Sequence, residues 1–487
     1  MRRSHLLTLA FATAIAAPSQ AALTLFASGT ITGSSAGTGL DLSGLTGTLE
    51  NGNPAAMLGG LGSGLTYAGG NTFLAVPDRG PNAAVYNPAI DNTVSYISRV
   101  QTLSLGLTPG SGTLYGTGTA LPFTLSTELT GTTLLSSSTP LVYGNGAAYG
   151  VPNGAAVNTP GKYYFTGRSD NFDPSQNSGN PLNARLDPES IRVSNDGKTV
   201  FISDEYGPYV RQFDRATGTL VRTFTLPADL DVATQGTTTG AETPPNNNSG
   251  RVANKGMESL AITPDGKTLV GVMQAPLIQD ASDPATASMV RIVTIDIATG
   301  TTKEYGYNLT TGSGVSDIVA INDHQFLVDE RDGKGLGDGS KAKVKQIFKI
   351  DIAGAQDITG KVGAATASGL VQKTGTFLDL VSALTAAGLK ADQIPAKIEG
   401  ISFGQDVMYG GVLYHTLYIA NDNDFLPGTS GLNQFYVFGF QDGDLPGYVA
   451  QQFGAVPEPA SWIMMIGGFG AIGGALRRRK RTQVTFA

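Results

Sequence analysis

Acidic side chains recur at fixed places along this sequence, and their type suggests cation chemistry. Glu189 and Glu258 each begin a short alternating segment, and Glu399 begins a third. The first two are 69 residues apart, and the third follows 141 residues later, about two such intervals. Carboxylate oxygens without histidine or cysteine partners suit hard cations, Ca²⁺ above all, which takes about six to eight oxygens. The recurring glutamates are therefore candidate metal ligands.

A second group of acids lies where the next segment of each copy ends, for example at Asp204 and Glu205. If the copies are equivalent, both groups converge, and so many carboxylates stay ionised only when cations share them. The predicted Ca²⁺ ligands are Glu189, Asp204, Glu205, Glu258, Glu330, Glu399, Asp422 and Asp424. Further candidate oxygens belong to Asp187, Asn421 and Asn423. For any single acid, an ordinary role in a turn or on the surface stays open.

Basic residues are interleaved with these acids. Arg79 follows Asp78, Lys255 precedes Glu258 and Arg331 follows Glu330, while Lys397 precedes Glu399. Two interpretations stay open: the cations offset repulsion between the acids, or they grip an oxyanion such as phosphate beside the metal. Under the second interpretation, the residues that bind the oxyanion are Arg79, Lys255 and Arg331, and Glu258 is a candidate catalytic residue.

The elements that carry these residues are repeats. DPESIRVSNDGKTVFISDEY (187–206) is similar to KGMESLAITPDGKTLVGVMQ (255–274). Both indicate a strand, a turn containing Asp-Gly-Lys-Thr and a second strand, because Asp-Gly supplies the positive φ that hairpins need. Further copies lie at 63–80, 313–331 and 397–404. In the copy at 313–331, Asp317 takes the glutamate position.

These repeats predict an all-β fold, a β-propeller. More alternating segments follow the strand pairs, at 209–226 and 288–307, so one repeat holds about four strands. Radially arranged four-stranded units make a propeller, whose innermost strands line a central channel. Five copies are visible, and we predict six four-stranded blades, with the divergent region 130–170 holding the sixth. The segment 381–395 is predicted to be a helical insertion.

Composition excludes several classes of site. The 487 residues include no cysteine and three histidines, which excludes disulfides, thiolate zinc sites and cysteine nucleophiles. The ends carry seven of the 32 basic residues and one of the 39 acids, which leaves 25 against 38 and a net charge of −13. An acidic core of this kind argues against nucleic acid as a partner.

The two ends are targeting signals. Residues 1–21 have a basic start, an apolar stretch and small residues near Ala21, as in a signal peptide. In the tail, Pro457-Glu458-Pro459 precedes an apolar run and a cluster of five basic residues from Arg477 to Arg481. This order resembles a PEP-CTERM sorting signal, which implies processing by an exosortase. A plain membrane anchor is the alternative.

We predict the following division of the chain: signal peptide 1–21, lead-in 22–57, propeller 58–445, linker 446–456 and sorting signal with transmembrane segment 457–487. The protein is then exported to the periplasm, cell surface or extracellular matrix. Its C-terminal anchor in the inner membrane is transient or permanent.

The core also resembles a known family. Motifs DPESI with ISDEYGPYV, NKGMESLAITPDGKTL, SDIVAINDHQFLVDER, KIEGISF and NDNDF match, in order, the phytase-like domain family, described as having the esterase-like activity of phytase. The match covers roughly residues 58–440. It implies a β-propeller, and related β-propeller phytases use Ca²⁺ in an acidic channel to hydrolyse phosphomonoesters.

The resemblance places these residues in shared motifs: Glu189, Asp204, Glu205, Glu258, Glu330, Arg331, Glu399 and Asp422. One departure concerns the residue after each glutamate, which is usually glycine in the family. In this sequence, Glu189 and Glu258 are followed by Ser190 and Ser259, whereas Glu399 is followed by a glycine, Gly400. A serine side chain at a tight place calls the local geometry into question.

Three functions stay open at this point. The first is a Ca²⁺-dependent phosphoric-ester hydrolase that acts on a small phosphate ester. The second is a non-catalytic, Ca²⁺-binding surface or matrix propeller, with extracellular polysaccharide as a partner. The third is a metal-dependent carboxylesterase or lactonase, because fold does not fix function.

Overall fold

The computed structural model describes residues 23–35, 37–144, 158–310 and 312–453, and strands dominate them. The predicted strand–turn–strand copies are confirmed at 187–206 and 255–274. Their first strands, PESIRV and MESLAI, are buried along their whole length. The following turns place Gly197 at φ 70° and Gly266 at φ 72°, a conformation that glycine adopts without steric cost.

The first strand of the described residues is β1 (Thr24–Ile31), and two four-stranded antiparallel sheets follow it. Blade 1 comprises β2 (Gly64–Tyr67), β3 (Thr72–Val76), β4 (Arg99–Thr113) and β5 (Ala120–Leu134). A small sheet follows, made of β6 (Ser136–Ser137) and β7 (Tyr163–Tyr164). Blade 2 comprises β8 (Pro188–Val193), β9 (Thr199–Asp204), β10 (Tyr209–Asp214) and β11 (Leu220–Phe224).

Three further blades complete the order. Blade 3 comprises β12 (Met257–Ile262), β13 (Thr268–Met273), β14 (Met289–Asp296) and β15 (Thr302–Asn308), with helix α1 (Ile278–Ala281) between its second and third strands. Blade 4 comprises β16 (Gly314–Ala320), β17 (Gln325–Arg331), β18 (Lys345–Asp351) and β19 (Leu370–Asp379), followed by helix α2 (Leu380–Ala386). Blade 5 comprises β20 (Ile398–Phe403), β21 (Val407–Tyr409), β22 (Val412–Asn421) and β23 (Asn433–Phe440), and β1 pairs with β23 as its outermost strand. Within the described ranges, 3₁₀ helices lie at Pro88–Ile90, Ala228–Leu230 and Gly363–Gly369.

The five innermost strands close a ring, in the order β2, β8, β12, β16, β20 and back to β2. A Cβ added to Gly64 of β2 would lie 2.7 Å from the Cα of Ser190 in β8, so no blade fits between these strands. The described residues thus form a five-bladed propeller, and the prediction of a sixth blade in region 130–170 was wrong. The described part of that region forms the end of β5 together with β6 and β7.

Two other sequence segments have roles beyond those predicted. The lead-in 22–57 contributes β1, which completes the last blade and joins the two ends of the ring. The predicted helical insertion at 381–395 is helical only in its first residues, as part of α2, and turns follow from residue 387. The N-terminus of α2 is capped by Asp379, which accepts a hydrogen bond from the Ser382 amide. Within the described ranges, no helix is long and apolar enough to span a membrane.

All inner strands run in the same direction, which gives the propeller two distinct faces. The inner strands begin at the face that carries Glu189, Glu258 and Glu399, which we name the acidic mouth. They end at the opposite face, which we name the basal face. A segment made of residues 445–453, the C-terminal strap, lies across the basal face.

Candidate active site

A cavity of about 750 Å³ opens at the acidic mouth. It brings together eight of the predicted site residues: Arg79, Glu189, Glu205, Lys255, Glu258, Arg331, Glu399 and Asp422. Asp78 and Lys397 line the same cavity. The sequence repeats therefore converge in space, and carboxylates alternate with cations around the channel entrance.

The recurring glutamates occupy one structural position, a β-bulge at the start of the inner strand. The pairing register shifts at Glu189 in β8, at Glu258 in β12 and beside Glu399 in β20. In β16 the same shift falls at Ser316, so Asp317 does not take the glutamate position as predicted. Because neighbouring strand residues point to opposite sides, Asp317 lies inside the channel and not at the mouth.

The strand exits supply the second ring of the mouth. The pairing of the first two strands in each blade shows which residues occupy the same position at the exit of the second strand. In blades 1 to 5 these residues are Asp78, Glu205, Gln274, Arg331 and Asp422. Gln274 was not among the predicted site residues. Its signal in the sequence is its place 69 residues after Glu205, the same interval that separates the first two glutamates.

One group of three carboxylates lies in blade 2. Ligand oxygens of Asp187, Glu189 and Glu205 all lie within 4.8 Å of one another. Arg79 Nη1 is 2.5 Å from Asp187 Oδ2 and 3.7 Å from Glu205 Oε2. Among the described residues, Glu189 has neither a hydrogen bond nor a cation partner. If all three are ionised, one cation faces three negative charges.

A second group lies between blades 5 and 1. Oxygens of Asp78, Asp422 and Asp424 also lie within 4.8 Å of one another. Lys397 Nζ is 2.9 Å from Asp422 Oδ2 and forms an ion pair with Asp424. The backbone amide of Asp424 donates to Asp422 Oδ1 at 2.7 Å and so fixes this carboxylate. This group repeats the pattern of three carboxylates against one cation.

Glu258 and Glu399 lie between these two groups and share Arg331. Arg331 Nη2 contacts Glu399 Oε1 and lies 3.8 Å from Glu258 Oε1. Gln274 Nε2 donates to Glu258 Oε1 at 2.6 Å. The other oxygen of each glutamate, Oε2, is buried and has no hydrogen-bond partner among the described residues. These two oxygens are thus available to a ligand.

Burial and mutual repulsion make the glutamates of the mouth hard to ionise. Burial, followed by repulsion from Glu258, raises the pKa of Glu189 well above its usual range. Burial and repulsion from Asp187 raise the pKa of Glu205 to about 7. Burial also raises the pKa of Glu399 to about 7, although Arg331 opposes the shift. A cation bound here would displace these protons.

Two predicted ligands, Asp204 and Glu330, lie apart from the cavity. Asp204 Oδ2 is 2.5 Å from Arg211 Nη1, while its Oδ1 accepts from the amides of Asp187 and Tyr206. Asp204 and Glu330 each lie one residue before a residue that faces the mouth, Glu205 and Arg331 respectively. Because side chains alternate along a strand, Asp204 and Glu330 point away from the mouth.

Glu330 in particular has its own set of partners. Its oxygens accept from the Tyr307 hydroxyl, the Ser313 hydroxyl and the Thr310 amide, and Lys373 Nζ lies 2.6 Å away. Although burial favours the neutral form, these bonds lower the pKa of Glu330. It is an internal ion-pair residue in this arrangement.

Lys255 differs from the other cations of the mouth. Its side chain is exposed at the cavity rim, and among the described residues no carboxylate lies within ion-pair distance. Arg79, Arg331 and Lys397 are each held by acids. Lys255 is therefore the mouth cation that is free to meet an incoming anion.

The serines that replace glycine are accommodated. A Cβ on Gly400 would lie 2.9 Å from the Gly62 carbonyl oxygen, which shows how tight the position is. Ser190 uses its hydroxyl to donate to Asp317 Oδ1 at 2.9 Å, and Ser259 donates to the Val272 carbonyl at 3.3 Å. Both glutamates that precede these serines still line the cavity.

The donor set fits a hard divalent cation. Ca²⁺ binds oxygens at about 2.3–2.6 Å, so ligand oxygens around one ion lie within about 5 Å of one another. Each group of three carboxylates meets this condition. One resident cation against three carboxylates leaves two negative charges, which one divalent ion would neutralise. The groups can therefore hold a metal, and the unpartnered oxygens of Glu258 and Glu399 lie beside them.

Comparison with known proteins places the chain in a family. Residues 56–425 match the model of the phytase-like family, described as "esterase-like activity of phytase". Residues 455–480, which lie outside the described residues, match the PEP-CTERM protein-sorting motif. The protein is therefore exported and carries a C-terminal membrane anchor, and the motif implies processing by an exosortase.

Individual relatives are more distant. A protein of Arthroderma benhamiae, described as an uncharacterized secreted protein, is 31% identical over 252 residues. That match spans 47% of this chain and 45% of the relative, less than half of its length. Hydrazine synthase of Kuenenia stuttgartiensis has 14% identity and a TM-score of 0.26, and the match covers 82% of this chain and 84% of the hydrazine synthase chain. The β-propeller domain of Cps50 (Swd1) from Myceliophteria thermophila has 12% identity and a TM-score of 0.21, with coverages of 47% and 51%.

Proposed function

The chain belongs to the phytase-like family, and on that premise we propose that it is an exported, Ca²⁺-dependent phosphoric-ester hydrolase. The observation that carries the proposal is the composition of the cavity. Among the described residues, two groups of three carboxylates, suited to Ca²⁺, adjoin a cavity that Lys255 lines without an acidic partner. Glu258 and Glu399 line the same cavity, and each has a carboxylate oxygen without a hydrogen-bond partner. Both a metal ion and a basic side chain can neutralise the negative charge of a phosphate ester.

The metal ligands in this proposal are the two carboxylate groups. Asp187, Glu189 and Glu205 would hold one ion, and Asp78, Asp422 and Asp424 a second. When bound, Ca²⁺ would supply positive charge for phosphate oxygens and lower the pKa of a coordinated water. Asp204 and Glu330 have no part in this site, because their oxygens are bound by neighbouring groups.

The cations of the mouth bind and orient the ester. Lys255 meets the phosphate at the rim, since its ammonium is free. Arg79 and Arg331 stand deeper, each against a carboxylate, and present guanidinium groups to the cavity. A planar guanidinium can donate two parallel hydrogen bonds to two oxygens of a phosphate, so these two residues set its orientation.

A proton donor is also required. Hydrolysis forms a bond between a water oxygen and phosphorus and breaks the bond to the ester oxygen, which must then be protonated. Burial and repulsion from Glu205 raise the pKa of Glu258 well above its usual range, although Arg331 opposes the shift. The buried, unpartnered Oε2 of Glu258 can therefore carry a proton at neutral pH and deliver it to the leaving oxygen.

The test is a panel of esters measured with and without free Ca²⁺. The proposal expects release of phosphate from a chromogenic phosphate monoester, loss of that release with a chelator, and recovery on adding Ca²⁺. Release from a carboxyl ester or lactone, with phosphate esters untouched, would contradict it and indicate the alternative enzyme class. A folded, Ca²⁺-loaded protein inert to all three would indicate a binding propeller.

A further inference from the structure

The C-terminal strap ties several blades together across the basal face. The Val449 amide donates to the Ile321 carbonyl at 2.8 Å, just after the inner strand of blade 4. Gln451 Nε2 donates to the Val193 carbonyl at 2.8 Å and to Asn195 Oδ1 at 2.7 Å, at the end of the inner strand of blade 2. Residues 445–453 are thus a fixed part of the propeller.

The end of the strap lies at the basal end of blade 1. The ring of Phe453 is 5.7 Å from that of Tyr67, the last residue of β2. Together with inner-strand ends of the other blades, the strap encloses a cavity of about 70 Å³ beneath the channel. The acidic mouth is at the other end of the same strands. The chain therefore leaves the described propeller on the side opposite to the proposed active site.

The distance from the strap to the anchor is short. Seven residues separate Phe453 from Ser461, where the apolar run of the tail begins. At full extension they span roughly 25 Å. The route from the basal face to the mouth passes outward across a four-stranded blade and then along a six-residue strand, roughly 35 Å in total. A seven-residue connection is therefore too short to span the distance from Phe453 to the mouth, which favours the basal face as the side nearer the membrane.

An apolar hairpin projects at the basal side, beside the strap. Leu417 of β22 pairs with Phe403, the last residue of the inner strand, and β22 begins five residues earlier, at Val412. The hairpin of β21 and β22 thus extends past the basal end. Its exposed side chains include Met408, Tyr409, Val412 and Leu413, of which Met408 is 57% and Leu413 52% exposed.

A contact links this hairpin to the strap. The ring of His415, two residues after Leu413, is 4.9 Å from the ring of Tyr448 in the strap. Exposed apolar groups that adjoin one another mark an interaction surface, and a lipid interface accepts methionine, leucine and aromatic side chains of this kind. The anchor that begins within reach of Phe453 identifies a bilayer as the partner.

From these contacts we propose that the tail-bearing protein docks its basal face on the membrane. The hairpin 407–414 enters the lipid interface, and the acidic mouth points away from the bilayer toward its substrate. This orientation does not depend on the proposed hydrolase activity.

The absence of cysteine gives a direct test. One introduced cysteine, Met408→Cys in the hairpin or Ser288→Cys at the mouth rim, carries a single fluorophore on the tail-bearing chain. The chain is incorporated in vesicles of phosphatidylethanolamine with phosphatidylglycerol, in which some acyl chains bear a nitroxide quencher. We expect severalfold stronger quenching at position 408 than at 288, with bound protein amounts matched. Equal quenching, stronger quenching at 288, or none at 408 would overturn the orientation, and the last would leave the hairpin to a protein partner.

A second variant separates lipid contact from mere proximity. Leu413→Asp in the Met408→Cys chain changes an exposed side chain, so the fold is expected to be kept and is checked by circular dichroism. Quenching at position 408 should then fall by at least about half, since a carboxylate is costly at the interface. Unchanged quenching would overturn docking through the hairpin.

Discussion

Nη2 of Arg192 lies 2.9 Å from both carboxylate oxygens of Asp317, inside the channel of the propeller. Arg192 Nη1 also donates to the Leu65 carbonyl at 2.7 Å, and the Ile401 amide donates to Asp317 Oδ2 at 2.9 Å. This single ion pair therefore connects inner strands of blades 1, 2, 4 and 5. It fills the channel between the acidic mouth and the basal face.

Removal of one partner of this pair should destabilise the fold strongly. Asp317→Ala leaves the Arg192 charge buried without its partner, so we expect a loss of about 3–5 kcal/mol in the free energy of unfolding. The double variant Arg192→Met with Asp317→Leu removes both charges, so its free energy of unfolding should fall less than that of Asp317→Ala. Urea unfolding at neutral pH measures both. An Asp317→Ala protein within about 1 kcal/mol of the parent would contradict a structural role for the pair.

Ca²⁺ should stabilise the protein more as the pH rises. Glu205 and Glu399 have pKa values raised to about 7, from an ordinary value of 4.5, chiefly because they are buried. Between these values the folded state holds protons that the unfolded state has lost, so the metal-free protein loses stability as the pH rises through about 7. Saturating Ca²⁺ should raise the melting temperature by several degrees more at about pH 8 than at about pH 5. An equal increment at both pH values would argue against Ca²⁺ binding at the acidic mouth.

Glu258 and Glu330 form a matched pair of substitutions. Glu258→Gln keeps the size of the side chain but removes the proposed proton donor, so hydrolysis should fall by about 10²-fold or more. Glu330→Gln disrupts an internal ion pair with Lys373 and should cost about 1–3 kcal/mol of stability while the Ca²⁺ affinity stays unchanged. The rate of phosphate release measures the effect of Glu258→Gln, and thermal unfolding with calorimetric Ca²⁺ titration measures the effects of Glu330→Gln. Loss of Ca²⁺ binding in Glu330→Gln would show that Glu330 belongs to the metal site after all.

His415 should stabilise the basal side in a pH-dependent way. Burial alone would lower the pKa of His415, but hydrogen bonds at 2.8 Å with Asp406 and Asp442 raise it above its usual value. The contribution is therefore present at low pH and is lost as the pH rises through the raised pKa. His415→Gln should lower the melting temperature at about pH 6 and have little effect at about pH 9. The same loss at both values would rule out an imidazolium tether.

The repeated part of the site could be predicted from the sequence. Glu189, Glu258 and Glu399 recur with the same turn chemistry and strand pattern, and strands of equal length bring equal positions to one face. Asp204 and Glu330 lie apart from the cavity, because a one-residue difference in a strand turns a side chain to the opposite side. The neighbours Glu205 and Arg331 face the mouth. The pairing register that decides this is set by bulges, which a single sequence does not reveal.

Blade number and closure were harder to infer. The divergent region 130–170 offered room for a sixth blade, but direct contact between β2 and β8 fixes the ring at five in the described residues. The role of β1 depends on pairing between residues separated by about 400 positions, such as Thr30 with Gln434. Pairing over such a separation leaves no local pattern in the sequence.

The rate of phosphate release as a function of free Ca²⁺, compared between the parent protein and Glu189→Gln, tests the central claim most directly. Glu189 has no cation partner among the described residues, so its loss should act on the metal and not on an existing ion pair. The account predicts that phosphate release requires Ca²⁺. It also predicts that the free Ca²⁺ concentration at half-maximal rate is about tenfold or more higher in Glu189→Gln than in the parent protein. Phosphate release that persists in a chelator, or identical Ca²⁺ curves for the two proteins, would contradict it.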